Sequence, residues 1–362
     1  MVRSEAPSRA AIWKAAFITG LITSTFSTLV ILLGSGRIGT GVRFRFMEIG
    51  TVGLRDAAVD FAPRWYAVVA GVIVHQSADI FWAVTFFGLL SRWTLRIRPM
   101  TLLAVAPLWA VLTDAIEYFV VLSWLQPIMN MQSPYWLGLV VHLASASAYP
   151  VFLWLRRPLL RIDRDTRFGR RWTGLLAGVL AVLAVVAALG ESGREIPWPF
   201  VGEETRAYDA SFMRRMAAHH EVGVEMARLA AGRAGSEDLR TLGKLMVAEQ
   251  EMEIGILRRW WRSWYDGELP VPTHEEHVAM PGMPPPGAIE ELSRLTGQEF
   301  DRRFKELMIA HHEGAVEMSN GAWGRAGQPH LRLLANQIRL AQGRQTKVML
   351  DRHPLAGWGP FP

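Results

Sequence analysis

Between Lys14 and Arg37 lies a run of 22 residues without a charge, including Phe17, Leu21, Leu29, Val30, Ile31 and Leu33. A bilayer core is about 30 Å thick and takes about 20 apolar helical residues to cross, and inside it backbone polar groups are satisfied only within helices or closed barrels. This run is therefore predicted to be a membrane-spanning helix. Similar segments follow at about 65–90, 100–125, 134–155 and 172–190. Residues 1–190 thus read as a five-helix transmembrane domain in an all-α chain. The first segment is too long for the apolar core of a signal peptide and has no small-residue cleavage site behind it, so it reads as a retained anchor.

The net charge of +6 averages two unlike halves. Residues 1–190 carry 18 Lys and Arg against 9 Asp and Glu, and residues 191–362 carry 21 against 24. The positive excess sits in the apolar half, which suits a protein in contact with a lipid bilayer and speaks against a nucleic-acid partner. Cationic loops stay on the cytoplasmic side. Arg92, Arg96 and Arg98 follow span two, and seven Arg crowd positions 156–171 after span four, whereas 126–134 has no charge. Alternation then predicts a cytoplasmic N-terminus and an extracytoplasmic C-terminal half, periplasmic or on the cell surface. One segment opposes this rule: Arg37 to Arg64 holds five Arg, accompanied by Glu48, Asp56 and Asp60.

Residues 191–204 read as a linker, 205–353 as a helical domain and 354–362 as a tail. The domain contains an internal repeat: shifting by 92 positions aligns Asp209–Leu242 with Asp301–Leu334 at 18 identities in 34 positions. Each copy predicts two helices, near 209–231 and 237–264, then near 299–321 and 329–351, with Gly-Arg-Ala-Gly as the turn. Two hairpins with one apolar face each are expected to bury those faces together as a four-helix bundle. The Pro-rich connector 266–297 is expected as an irregular surface crossover.

Residues three, four and seven apart share a helix face. Met216, His219 and Met226 form one stripe around Gly223, and Met308, His311 and Met318 form its counterpart around Ala315, with Phe212 and Phe304 one turn earlier. His220 and His312 point about 100° away, where Glu221, Glu225, Glu313 and Glu317 are in reach. The chain has no Cys, which excludes thiolate zinc, iron–sulfur and Cys-nucleophile chemistry. Thioether with imidazole suits Cu(I), and imidazole with carboxylate suits Cu(II). The plain alternative is a packed core with Met as filler and His bonded to carboxylates. In the connector, His274, His277, Met280 and Met283 stand three apart and offer an auxiliary metal-capture site or simply a linker. Met246, Glu249, Gln250, Met252, Glu253, Gln342, Gln345 and Met349 on the second and fourth helices are available to complete a centre.

The signature Phe-x-x-x-Met-x-x-His-His with Met six residues later occurs twice, as Phe212, Met216, His219, His220, Met226 and as Phe304, Met308, His311, His312, Met318. In this, residues 205 to 353 resemble the ferritin-like family known as domain of unknown function 305. Gln250 to Ile254 matches that family's Gln-x-x-Glu-Ile feature, and the second copy keeps only Gln342 of it. The resemblance implies copper binding through the His and Met positions named, as in copper-resistance proteins of the periplasm.

Within the predicted spans stand His75, Asp79, Asp114, Glu117 and His142. Ionisable groups in a span are costly and suggest function. At 1.5 Å per residue all five fall roughly 12–21 Å below the outer surface, so they are expected to meet in one polar cluster, either a site for metal or protons or a packing network. Two His on different spans also suit haem, but no attachment motif supports it. Met129 and Met131 in the outer loop are candidate copper relays. Together these features predict a membrane-anchored copper-binding protein for sequestration, resistance or delivery. The alternatives are a ferritin-like oxidase using iron or copper, and a metal sensor coupled to the spans. No nucleophile–base pair or nucleotide-binding loop appears.

Overall fold

The computed structural model describes residues 7–125, 132 and 134–350. Met129 and Met131 lie outside the described residues. The chain is all-α, and the only β-pairing among the described residues is a single bridge between Ala234 and Gly297. It divides into two compact units: residues 1–33, 72–121 and 135–185 form one, and residues 34–71, 122–134 and 186–362 form the other.

The main helices in chain order are α1 (Arg9–Gly34), α2 (Val42–Leu54), α3 (Trp65–Val84), α4 (Pro99–Ile116), α5 (Tyr135–Ser147), α6 (Val151–Leu160) and α7 (Thr166–Glu191). After them come α8 (Glu203–Arg233), α9 (Glu237–Trp264), α10 (His274–Val278), α11 (Ala288–Arg294), α12 (Gly297–Arg325) and α13 (Pro329–Met349). Four helical segments, Arg9–Arg37, Trp65–Leu89, Pro99–Val121 and Thr166–Glu191, are long and apolar enough to cross a membrane. The segment expected as one straight span at 134–155 is instead two helices, α5 and α6, bent by 42°. Counted together they would make a fifth span. The bend falls at Pro150, which has no N–H to give and whose ring obstructs the preceding turn. There the chain tightens, with Val151 N bonded to Ala148 O and Phe152 N to Tyr149 O, both at 3.0 Å.

The core of the first unit is aromatic: Phe86, Phe87, Tyr149 and Phe152 are buried, and Phe87 stacks on Phe152 with centroids 4.3 Å apart. Arg156 is fully buried and donates to Leu95 O at 2.9 Å, and Arg164 donates to Arg96 O. The two Arg-rich loops therefore meet.

In the second unit, α8 pairs with α9, α12 with α13, and α8 with α12. The first helix of each hairpin, α8 and α12, runs longer than the repeat alone predicted, whereas α9 spans the expected residues and α13 ends two residues early. The segment Arg37 to Arg64, expected as a loop outside the membrane, folds into this unit as α2 and its flanking turns. Phe44 and Met47 of α2 share an apolar core with Met226, Leu245, Met246, Phe304 and Met308. Three of its five Arg find carboxylates: Arg37 with Glu195 at 2.8 Å, Arg45 with Glu48 at 2.9 Å, and Arg64 with Asp60. Residues 44–51 of α2 are buried on every side, Arg45 and Glu48 included, so pairing within the fold rather than charge sidedness places these charges.

Candidate metal centre

His219, His220, His311 and His312 lie midway along α8 and α12, and all four are fully buried. The rings of His219 and His311 stack, with centroids 3.8 Å apart and planes 13° from parallel. His219 Nε2 donates to Pro281 O at 3.0 Å, and His311 Nδ1 donates to Gly282 O at 3.3 Å. Those carbonyls belong to the connector, which lies against α12 at Gly314, where a Cβ would collide with Pro281 O. Gly282 takes φ +75°, a backbone angle that favours glycine. The connector is thus no irregular surface crossover: it carries α10 and α11 and buries Met280, Ala288 and Leu292. A two-point ion pair from Arg214 to Glu276, at 2.9 and 3.3 Å, pins α10 to α8.

The outer two imidazoles are held from α9 and α13. His220 Nε2 is 2.7 Å from Glu253 Oε2, and His312 Nε2 is 2.7 Å from Gln345 Oε1. Gln345 Nε2 donates in turn to Glu249 Oε2 at 2.7 Å. Pro281 O, Gly282 O and Gln345 Oε1 can only accept, so they fix the tautomers of His219, His311 and His312. The opposite nitrogens, His219 Nδ1, His311 Nε2 and His312 Nδ1, are buried without a hydrogen-bond partner, as is His220 Nδ1. An oxygen holding one ring nitrogen while the other is free is the arrangement around metal-bound histidine. Leaving such a nitrogen unpaired costs about 1–3 kcal/mol, which a bound cation would relieve.

Burial keeps these rings neutral, the form that binds metal. It pushes His219, His220 and His312 down to about 3, and His311 well below the ordinary range, with His219 adding to the effect on His311. Glu221, Glu225, Glu313 and Glu317, expected to reach the centre, are exposed, and Glu221 pairs with Arg258. Helix phase turns them to solvent; the carboxylate beside His220 comes from the neighbouring helix.

Met216, Met226 and Met308 are fully buried. Met226 and Met308 share one apolar cluster, while Met216 and Met318 share the other. The stacked imidazoles separate the two thioether pairs along α8 and α12. Among the described residues, no three His, Asp or Glu side chains converge to hold a metal ion. In the connector, His274 is exposed while Met280 is buried beside Pro281, so the four spaced residues do not form one surface cluster.

Residues 209–352 match the family model described as Domain of unknown function (DUF305). The C-terminal segment is a DUF305 domain. Solved structures similar to part of the chain include three that follow. A DUF305 protein from Streptomyces coelicolor is 28% identical, over 40% of this chain and 90% of that one, with a TM-score of 0.37. CopM in its Cu(I)-bound form is 28% identical over 40% and 93%, with a TM-score of 0.34, and CopM in its Cu(II)-bound form is 30% identical over 40% and 93%, with 0.35. No curated protein matches the chain.

The DUF305 domain receives residues from outside its matched range. Glu48 of α2 is almost wholly buried, and burial pushes it up to about 7 against the pull of Arg45. It acts electrostatically on Glu249, which burial and then Glu253 hold well above the usual carboxylate range. Burial pushes Glu253 to about 8. With its amide oriented to satisfy both ends, Gln132 donates to Glu249 at 2.7 Å and accepts from Gln345 at 2.8 Å. Sequence spacing carried no signal for Glu48 or Gln132, which lie far from the DUF305 domain in the chain.

In the first unit, the five ionisable residues of the long apolar helices and α5 come together. Ser27 Oγ lies 3.0 Å from His75 Nε2 and donates to Asp79. His142 Nε2 is 3.2 Å from Glu117 Oε2 and 4.0 Å from Asp114 Oδ1, and its Nδ1 is 3.1 Å from Thr113 Oγ1. Trp82 Nε1 donates to Glu117, and Tyr135 hydrogen-bonds Asp114. His142 and Glu117 act electrostatically on both His75 and Asp79. Nε2 of each His is engaged by a side-chain oxygen. Sequence reasoning missed Ser27, although Thr19, Thr23 and Ser27, four apart and all buried, form a readable polar stripe.

Proposed function

We propose that the chain is a membrane-anchored copper-binding protein whose DUF305 domain, a four-helix bundle of two duplicated hairpins in the ferritin-like manner, faces the extracytoplasmic side and serves sequestration, resistance or delivery. One observation carries this reading: three buried imidazoles with tautomers fixed by oxygen acceptors and their other nitrogens unpaired. Beside them stand thioethers and no thiolate. A centre of few imidazoles completed by Met sulfur suits Cu(I). CopM is copper-bound in the structures named above; for this chain the ligand set alone carries the choice of metal.

The two Arg-rich loops that meet in the first unit support a shared cytoplasmic side. The polar cluster of the spans is best read as a packing network, since each of its ionisable groups has a hydrogen-bond or ion-pair partner.

The test is titration of the full chain in detergent with Cu(I), Cu(II), Zn(II) and Fe(II), with and without His219→Ala plus His311→Ala. Copper affinity is expected to fall at least tenfold in the double variant, the scale seen when the surroundings of a metal ligand are disturbed. Unchanged copper affinity would overturn the assignment, and iron-dependent oxygen consumption would replace it with the oxidase reading. The absence of Cys makes sidedness simple to read: Glu299→Cys should react with an impermeant maleimide in intact cells, and Arg161→Cys only after permeabilisation.

A further inference from the structure

The two copies of the hairpin differ at the small residue beside the histidines, Gly223 in α8 and Ala315 in α12. A Cβ built on Gly223 would collide with Gln250 Oε1 and stand 2.9 Å from His311 Nε2. Both of those atoms, and Gln250 Nε2 as well, are buried without a hydrogen-bond partner. Gln250 itself is 1% exposed. Two lone-pair donors from different helices, α9 and α12, thus converge over the Gly223 backbone, close to it only because glycine has no Cβ. The other nitrogen of His311 is already spent on Gly282 O, so its Nε2 has no competing task.

We infer that His311 Nε2 and Gln250 Oε1, which converge over Gly223 with no other partner, are ligands to one copper ion, making Gln250 a residue that selects the oxidation state of the bound copper. The inference rests on the copper reading above. An amide oxygen is a harder donor than a thioether, so it favours Cu(II) at this position over what Met and His alone would hold. Gly223 is then required for volume: any Cβ would push Gln250 Oε1 out of its place beside His311 Nε2.

The experiment is Cu(I) and Cu(II) titration of the full chain in detergent, with electron paramagnetic resonance of the Cu(II) form. Gly223→Ala should weaken copper binding about tenfold or lose an equivalent, whereas Gly232→Ala, on the same helix where a Cβ meets nothing within 4 Å, should bind as wild type. Gln250→Met should change the Cu(II) spectrum and shift preference toward Cu(I). Circular dichroism checks folding, and Ala is the better helix former at both glycines. Wild-type stoichiometry and affinity in Gly223→Ala, with copper lost in His311→Ala, would overturn this pocket and leave the copper reading standing. Copper retained in both would overturn the copper reading itself.

Discussion

His219 and His311 lie ring on ring, centroids 3.8 Å apart, although 92 positions separate them in the chain. Stacked and buried, neither can take a proton without placing charge against its neighbour. Their values in the folded chain lie well below 6.5, that of the model imidazole. The unfolded chain therefore binds protons that the folded one refuses, and stability present above pH 6.5 is lost as pH falls toward 3. The loss expected at pH 5 is on the order of 1–2 kcal/mol per histidine. Melting of the full chain between pH 7 and 5 measures it, and His311→Phe should make the slope shallower.

Glu48 has the opposite sign. Burial raises it from 4.5 to about 7, so the folded chain holds a proton that the unfolded chain gives up, and stability declines as pH rises between those values. Glu48→Gln should raise the melting temperature at pH 8, by about 1–3 kcal/mol of stability, and change little at pH 5. A variant equally destabilised at both pH values would show that the Arg45 pair matters more than the buried charge.

Two aspartates bind the turns of the opposite hairpin. Asp209 accepts from Gly327 N at 2.9 Å and Gln328 N at 3.0 Å; Asp301 accepts from Gly235 N at 2.8 Å and Ser236 N at 3.0 Å. These bonds cap α13 and α9, and carboxylate caps are favoured at helix N-termini. Asp209 is fully buried whereas Asp301 is partly exposed. Asp209→Ala should cost about 2–3 kcal/mol and Asp301→Ala about 1 kcal/mol, because water can replace the lost acceptor only at the second site. Chemical denaturation of the full chain, ranked by midpoint, checks the order.

Among the long apolar helices of the first unit, Ser27 holds both His75 and Asp79. Removing that hydroxyl leaves a carboxylate short of a donor, although hydrogen bonds between membrane helices are worth only about 0.6–1.7 kcal/mol. Ser27→Ala and Asp79→Asn should each lower the melting temperature in detergent and leave copper tolerance at matched expression unchanged. Reduced tolerance in a variant of wild-type stability would make the network a pathway.

Apolar run length set which segments are long and apolar enough to cross a membrane, and the repeat with its three- and four-residue spacing set which His and Met share a face. Both are properties of a helix taken alone, so the sequence by itself determined them. The partners were decided only in three dimensions. Pro281 and Gly282 fix two imidazoles through backbone carbonyls, which residue type does not encode. Glu48 arrives from a segment that read as a charged loop, and Glu253, rather than the nearer Glu221, meets His220. Helix phase states which way a side chain points, but what it meets depends on how helices distant in sequence pack, and that is where each free nitrogen was left free.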